Sequence, residues 1–465
     1  MTHPVQLPPK RWQEEAAGLL AGGQSFRTLY AAGDGTVRAV FASTSGGRVV
    51  ISTAAPAIPS LVELVPAAGW AEREAHDTHG IDFPGHEPLR PLVEHVAEGA
   101  RWRVPVTGRG VHEVAVGPVH AGIIESGHFR FHVVGERILL VDLRLFYKHR
   151  GLEKAAEGVG LEEGLLYAQR ACAACSVANS VAYAMAAEEL LGLAATREMG
   201  RARTLLLEQE RLYNHLHDLS AICAGIGFSP GAMAFAALKE RAQRLNLQLT
   251  GHRFLFGAVA VGRSSLVIDA AAARGAAAEI GEISRGAART WREILFNGSV
   301  QDRLKGVGVL RHREAVRLGA VGPAARASGV ATDLRVHSDG LAYPGFEPAI
   351  PTEVHGDVAA RAEIRSVELA ATCRLLTELL ADRLESSQAA AGKPAGGVGV
   401  GRVEGPRGET ICCLEAKGGR ITRLHLRTAS FANWPALAEA VAGNILPEFP
   451  LINKSFELCY ACADR

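Results

Sequence analysis

The sequence predicts an α+β protein with a small N-terminal α+β domain and a large, mainly helical domain with short peripheral strands. Three observations support this prediction. The first hundred residues contain apolar runs separated by glycine turns, as in strands joined by tight turns. The middle of the chain carries apolar residues at three-and-four spacing, as in packed helices. Two Cys-x-x-Cys pairs, at positions 172–175 and 459–462, can form one site only if the middle and the C-terminal end of the chain meet.

The N-terminal part, residues 1–104, is expected to fold as one domain. A helix is predicted near Pro9 to Leu20, and strands are predicted between Phe26 and Ala54, with glycine pairs at the turns. The segment from Trp70 to Arg90 is rich in charge, and its composition alone favours a surface loop.

The second domain, residues 105–465, is expected to begin with two strands that flank the turn at Gly135 and Glu136. A glycine-rich stretch over Gly392 to Gly401 is then expected to separate a helical bundle from two C-terminal strands. The predicted helices of the bundle cover Ser176 to Leu193, Arg197 to Ser220 and Asp357 to Ser387, and the predicted strands cover Glu409 to Ala416 and Arg420 to Arg427.

Composition limits the possible partners and compartments. The 465 residues include 50 Lys and Arg against 49 Asp and Glu, so the basic surface expected of a nucleic-acid-binding protein is not indicated. Eight cysteines that cluster as Cys-x-x-Cys favour metal or redox chemistry in a reducing, cytoplasmic compartment. The N-terminus lacks a signal-peptide pattern. The uncharged run from Leu219 to Leu238 is interrupted by glycines and a proline, so a helix, a turn and a second helix are predicted instead of a membrane span.

Four cysteines, Cys172, Cys175, Cys459 and Cys462, form the donor set of a soft or borderline metal. A structural zinc site fits these donors equally well, and zinc is the commoner meaning of paired Cys-x-x-Cys motifs. Zinc ribbons, however, usually hold their pairs within about twenty residues of each other. The residues alone therefore leave zinc and another metal open.

Other polar motifs do not point to a site. His215 and His217 are two positions apart on a helix and cannot share a ligand face. Cys412 and Cys413 are neighbours in a strand and point to opposite sides, while Cys223 and Cys373 are expected in the core. Gly397-Val-Gly-Val-Gly401 lacks the spacing of a dinucleotide-binding loop, so no NAD is predicted.

Two sets of motifs resemble known families. The segment W-x-E-R-E-x-x-D-x-x-G-I-x-F-x-G-H-x-x-L-R, residues 70–90, is similar to the signature of the complex I subunit that docks beside the quinone-site large subunit. The motifs Arg170-x-Cys-x-x-Cys175 and Cys459-Tyr-x-Cys-x-Asp-Arg465 resemble the large subunit of membrane-associated, energy-converting nickel-iron hydrogenases of the formate hydrogenlyase type. The four cysteines distinguish this resemblance from the related large subunit of complex I, which lacks them.

The resemblance implies roles for these residues. Cys172 and Cys459 would bind nickel as terminal ligands, and Cys175 and Cys462 would bridge nickel to an iron that also carries CO and cyanide. Heterolytic cleavage or formation of H2 would then send a proton first to Cys459. Glu125 would accept this proton next, although a glutamate at a strand end in solvent is the simpler interpretation without the motif.

The resemblance also implies that Arg407 lies over the open metal position, whereas an arginine in a glycine-rich turn is more often a surface ion-pair partner. It implies partners as well: an iron-sulfur small subunit, membrane-anchor subunits, a maturation protease and nickel-insertion proteins. The protein would lie in the cytoplasm, peripheral to the inner face of the cell membrane. The alternative is a complex I-like or scaffold subunit whose four-cysteine site is silent or filled with zinc.

Several positions depart from the family pattern. Glu457 and Leu458 replace Asp-Pro, Ala173 replaces glycine, and Asn179 replaces a histidine. In relatives the position of Glu153 helps to bind magnesium together with a terminal histidine, but Arg465 stands at that last position here. A guanidinium cannot bind a cation, so we expect an ion pair between Glu153 and Arg465 and no magnesium. The resemblance further implies that a C-terminal extension is cut after Arg465 during maturation or is not made.

Overall fold

A computed structural model describes residues 3–43, 47–54, 56–94, 102–120, 125–337, 340–343, 350–392 and 397–465. Its elements confirm the predicted α+β class. The boundary at residue 104 stays a prediction. Within the described residues, no helix combines the length and the apolar character that crossing a membrane requires.

The N-terminal elements form a four-stranded sheet with two helices. The sheet order is β1-β4-β3-β2, with β1 parallel to β4 and the other pairs antiparallel. The predicted helix and strands are confirmed. The loop interpretation of residues 70–90 was wrong for their first half, because Ala71 and Ala75 lie one turn apart on a helix and pack into the core. The elements are β1 Val5–Gln6, α1 Trp12–Ala21, β2 Ser25–Ala31, β3 Val37–Ala42, β4 Arg48–Thr53 and α2 Gly69–His79.

An antiparallel sheet opens the second part of the chain. It consists of β5 Val111–Val116, β6 His128–Val134 and β7 Arg137–Arg144, in the order β5-β6-β7. The predicted turn at Gly135 and Glu136 joins β6 to β7 and is confirmed. Phe129 and Phe131 are two positions apart on β6, so both side chains face the core.

Helices form the centre of the molecule, and two pairs of very short strands lie at its edge. The predicted break between Leu219 and Leu238 is confirmed, since α6 ends at Gly225 and α7 begins at Ser229. The elements are α3 Leu152–Ala155, α4 Leu165–Gln169, α5 Ser176–Leu191, β8 Leu193–Ala194, α6 Arg197–Gly225, α7 Ser229–Thr250, β9 Arg263–Ser264, α8 Ala270–Leu295, α9 Gly298–Leu304, α10 His312–Arg317, α11 Gly322–Arg326, α12 Val358–Leu379, β10 Ser387–Gln388 and β11 Ala390–Ala391.

The helix predicted over Asp357 to Ser387 was too long at its C-terminal end. Helix α12 ends at Leu379, and the residues after it pair with a different segment. The backbone of Leu384 exchanges two hydrogen bonds of 2.9 Å with Ile268, and Ser387 lies in β10, which pairs with β9. These pairings satisfy the backbone groups that a longer helix would have used.

The C-terminal part contains a three-stranded antiparallel sheet and three helices: β12 Gly399–Gly405, β13 Gly408–Lys417, β14 Arg420–Arg427, α13 Ala429–Val441, α14 Phe449–Phe456 and α15 Tyr460–Asp464. The two predicted strands are confirmed. The glycine-rich stretch is not only a spacer, because its last residues form β12 against α5; residues 393–396 lie outside the described part. A Cβ at Gly401 would lie 1.8 Å from the Ala182 carbonyl oxygen, so only glycine permits this packing.

The N-terminal sheet packs directly on the C-terminal sheet. Tyr30 and Val40 form one apolar cluster with Val400 and Ile411. The Thr28 hydroxyl also lies 2.8 Å from the His425 ring. These contacts place the N-terminal elements beside the residues that lead to the C-terminal cysteines.

Candidate metal centre

The two Cys-x-x-Cys pairs meet in one buried cluster. The Sγ atoms of Cys172 and Cys459 are 3.1 Å apart, and those of Cys172, Cys459 and Cys462 all lie within 4.8 Å of one another. Cys175 packs in the same cluster. Cys172 precedes and Cys175 ends a short 3-10 turn, Ala173–Cys175, that leads into α5, whereas Cys459 caps α15 and Cys462 lies in the first turn of that helix.

The donor chemistry fits a soft or borderline metal. All four cysteines are free thiols, three of them are buried, and Cys459 is partly exposed. Hydrogen bonds with Cys172 and Cys462 lower the pKa of the Cys459 thiol to about 6, so it ionises readily near neutral pH. A hydrogen bond with Cys172 raises the pKa of Cys175 to about 12. Four convergent sulfur donors of this kind suit nickel, iron or zinc.

The remaining cysteines lie elsewhere. Cys223, Cys373 and Cys412 are buried in the main hydrophobic core, and Cys413 lies in the separate cluster between the N-terminal and C-terminal sheets. This confirms that the neighbouring cysteines of β13 face opposite sides. His215 pairs with Glu368 at 2.8 Å in the core, apart from His217.

Arg407 lies beside the cysteines and is held from three directions. Its Nη1 lies 3.6 Å from Cys175 Sγ and donates to the Asn214 side chain at 3.0 Å. Its Nε donates to the backbone carbonyl of Glu457, and its Nη2 lies 3.7 Å from an Asp218 oxygen. The residue is 5% exposed, so the interpretation as a surface ion-pair partner was wrong.

Glu125 reaches the cluster from the loop before β6. Its Oε2 accepts the Ala461 backbone N–H at 2.8 Å and lies 3.9 Å from Cys459 Sγ. The side chain is therefore anchored beside Cys459, and the interpretation as a solvent-exposed strand end was wrong. The four residues before it, 121–124, lie outside the described part of the chain.

Arg465 and Glu153 form the predicted ion pair, at 3.1 Å between Nη1 and Oε1. Glu153 also lies 3.1 Å from Arg423 and accepts the Leu426 backbone N–H at 2.8 Å. Burial alone would raise the pKa of Glu153, but the charges of Arg465 and Arg423 hold it well below its usual value. Arg465 also pairs with Glu74 of α2, a contact that local sequence patterns do not reveal.

Helix α6 supports the site through residues whose roles were not predicted. Glu210 accepts the backbone N–H groups of Val177 and Ala178 at 2.7 and 3.0 Å and thereby caps α5 directly after the first cysteine pair. Burial raises the pKa of Glu210 well above its usual value. Glu210 and Asn214 lie one turn apart on this helix, but their spacing in the sequence does not show that they hold a helix start and Arg407.

The departures from the family pattern lie around this site. Asn179 is fully buried, and neither polar atom of its side chain has a hydrogen-bond partner among the described residues. Glu457 adopts a left-handed conformation, with φ of 50°, at the end of α14. This left-handed turn thus sets the orientation of the Glu457 carbonyl, which accepts a hydrogen bond from Arg407.

Two protein families match the chain. "Respiratory-chain NADH dehydrogenase, 49 Kd subunit" matches residues 226–394 and 386–465, and "Respiratory-chain NADH dehydrogenase, 30 Kd subunit" matches residues 7–103. The chain thus combines in one polypeptide two parts that resemble subunits of one respiratory complex.

Individual relatives extend the match to most of the chain. Formate hydrogenlyase subunit 5 of Escherichia coli K12 is 31% identical over 466 residues, which cover 90% of this chain and 79% of that protein. The carbon monoxide-induced hydrogenase of Rhodospirillum rubrum is 29% identical over 76% of this chain and 99% of its own length. A solved chain of the membrane-bound sulfane sulfur reductase, an archaeal respiratory membrane complex, superimposes with a TM-score of 0.71 at 26% identity and covers 78% of this chain and all of that one.

Proposed function

This chain belongs to the family of the 49 kDa subunit of respiratory-chain NADH dehydrogenases and is 31% identical to formate hydrogenlyase subunit 5. From this premise we propose that it is the catalytic large subunit of a membrane-associated nickel-iron hydrogenase. One observation carries the proposal: four thiols from distant parts of the chain, three of them buried and one partly exposed, converge without forming a disulfide. Soft thiolates in this number are the donors that such a centre requires.

Each thiol has a proposed role. Cys172 and Cys459 would hold the nickel, and Cys175 and Cys462 would help to hold the nickel and the iron of the centre, whose iron would also carry CO and cyanide. When bound, this centre would supply the heterolytic cleavage or formation of H2. The surrounding residues hold the ligands in place, with Glu210 at the start of α5 and Arg407 beside Cys175.

Proton transfer is proposed to run between Cys459 and Glu125. The Glu125 oxygen that lies 3.9 Å from Cys459 Sγ is already oriented by the Ala461 N–H, so a small approach would bring it within hydrogen-bond distance. Arg407 places a fixed positive charge next to Cys175. This charge stabilises thiolates and can polarise a small ligand in the site.

Electrons need a separate route. Among the described residues, the four cysteines outside the cluster are buried in apolar surroundings and form no further donor set. We therefore propose an iron-sulfur small subunit as the electron partner, and membrane-anchor subunits that hold the complex at the cytoplasmic face of the membrane. Nickel-insertion proteins and a maturation protease complete the proposed set of partners.

A second candidate is a complex I-like structural or electron-transfer subunit whose cysteine site is silent or holds zinc. The family match to two NADH dehydrogenase subunits supports it, as does buried Asn179, for which the described residues provide no hydrogen-bond partner. Both candidates use the same fold. They differ in the metal.

Metal analysis and infrared spectroscopy of the purified complex test the proposal. We expect nickel and iron in equal amounts and absorption from metal-bound CO and cyanide, where protein does not absorb. Cys172→Ser and Cys462→Ser should remove both metals because a hard oxygen replaces a soft thiolate. Cys223→Ser, which changes a core cysteine, should retain them. Stoichiometric zinc without nickel would decide for the second candidate.

A further inference from the structure

A cavity of about 410 Å³ lies between the N-terminal elements and the helical part of the molecule. Its lining includes residues 24–27 and 64–67 from the N-terminal part, residues 315–317 and 319–322 from the region of α10 and α11, and charged residues of the C-terminal sheet. The four cysteines, Glu125 and Arg407 do not line it. The volume falls within the range of about 300–1,000 Å³ typical of small-molecule sites.

Most of the cavity wall is apolar. Phe26, Val65 and Val321 contribute side chains to it, and Leu64 and Val316 also line it while being 41% and 57% exposed. Exposed apolar side chains at the margin of a partly buried apolar cavity are typical of a site that accepts an apolar group from solvent.

Two arginines that share one carboxylate lie on the polar side of the cavity. Arg27 and Arg427 line it together with Glu409, whose Oε2 lies 3.1 Å from Arg27 Nη1. The Glu409 backbone carbonyl accepts from Arg427 Nη1 at 3.3 Å, and its Oε1 accepts from Arg402 Nε at 2.6 Å. In the part of the chain that the structure describes, Glu409 is the only ion-pair partner of these three arginines.

The other two carboxylates of the cavity are already paired. Asp333 lies 2.7 Å from Arg335, and Glu404 lies 2.9 Å from Arg326, and these two arginines also pair with Glu208 and Glu368. Neither Asp333 nor Glu404 lies within ion-pair distance of Arg27 or Arg427. In the described part of the chain, Arg27, Arg402 and Arg427 thus share Glu409 as their one carboxylate partner. An uncompensated charge in a poorly solvated site is costly, whereas an anion beside it removes the cost.

We propose that this cavity binds a small amphiphile that has one anionic head, a carboxylate or a phosphate, and an apolar body. The head would lie against Arg27 and Arg427, because guanidinium groups bind carboxylate and phosphate oxygens with charge-assisted hydrogen bonds. The body would lie along the apolar wall formed by Phe26, Val65 and Val321. This site is independent of the metal centre.

Isothermal titration of the purified full chain with decanoate, decyl phosphate, decanol and acetate tests the proposal. Decanoate or decyl phosphate should bind with one-to-one stoichiometry, and the tighter of the two identifies the preferred head. Decanol, which lacks the charge, and acetate, which lacks the tail, should each bind at least about tenfold more weakly, since a hydrogen bond to a charged group is worth roughly one to two orders of magnitude in affinity.

Arginine variants test where the anionic head of the ligand binds. Arg427→Gln and Arg27→Gln should each weaken binding of the better anion by about tenfold or more. Arg402→Gln is the matched control, because Arg402 pairs with Glu409 but does not line the cavity, and it should weaken binding much less. Arg27 lies on the partly exposed edge of the cluster, so Arg27→Gln keeps the test decisive if Arg427→Gln fails to fold.

Three results would overturn the proposal. The first is that neither anion binds the parent chain. The second is that decanol binds as tightly as decanoate, and the third is that Arg402→Gln weakens binding as much as the two cavity variants do.

Discussion

Glu153→Gln tests how strongly the C-terminal residue is held beside the metal site. The substitution keeps the shape of the side chain but removes the charge that faces Arg465 and Arg423, both at 3.1 Å. Loss of one partner of a buried ion pair costs about 3–5 kcal/mol. In this variant Arg465 keeps Glu74, whereas Arg423 stays buried without a carboxylate partner among the described residues. At about 1.4 kcal/mol per factor of ten, the local opening equilibrium should rise by roughly two to four orders of magnitude.

Hydrogen exchange by mass spectrometry measures this opening at Leu426, whose backbone N–H donates to Glu153 at 2.8 Å. Peptides that contain Leu426 should lose protection in the variant by that factor. The control is Glu157→Gln, which removes the partner of the exposed Lys154 and should change the free energy by at most about 1 kcal/mol. Equal exchange at Leu426 in the parent and in Glu153→Gln would refute the reasoning.

Three further predictions concern single side chains. Glu125→Gln should retain nickel and iron yet lose most hydrogen-deuterium exchange activity, because an amide cannot relay a proton from Cys459; parent-level activity would contradict this role. Arg407→Lys should retain both metals but lower activity at least about tenfold, since an ammonium group cannot reproduce the planar fork, and unchanged turnover would count against it. Burial and the charge of Asp333 raise the pKa of Glu404 to about 7, above its unfolded value, so the stability this group contributes at low pH is lost as pH rises through 7. Denaturant titrations at pH 6 and pH 8 should therefore show a smaller loss of stability for Glu404→Gln than for the parent, and parallel losses would exclude Glu404 as the cause.

The convergence of the four cysteines could be predicted because the chemistry requires it. Two Cys-x-x-Cys pairs provide one complete set of soft donors, and the structure places their sulfurs together. The predicted pairing of Glu153 with Arg465 is also confirmed, since a guanidinium in that position needs a carboxylate. Strands and helices with a clear apolar periodicity could be predicted because their apolar faces must be buried in the core.

The predictions were wrong where the structural role of a residue depends on a contact with a residue far away in the sequence. The glycines before residue 402 indicated a spacer, but Gly401 allows a strand to touch the backbone of α5. Helix α12 ends early because Leu384 pairs with Ile268, more than a hundred positions away in sequence. The contact of Glu74 with Arg465 joins opposite ends of the chain and leaves no local pattern.

The distance between the two cysteine pairs along the chain has a consequence for the unfolded state. Cys172 and Cys459 are 287 positions apart, and nearly the whole helical region lies between them. A metal held by both pairs therefore acts as a cross-link that closes a very long loop. By the chain-entropy relation, closing a loop of this length lowers the conformational entropy of the unfolded chain. This loss raises the free energy of the unfolded state by about 5–6 kcal/mol at 25 °C. The centre would thus stabilise the entire region between the pairs, and its loss would be felt far from the sulfur atoms.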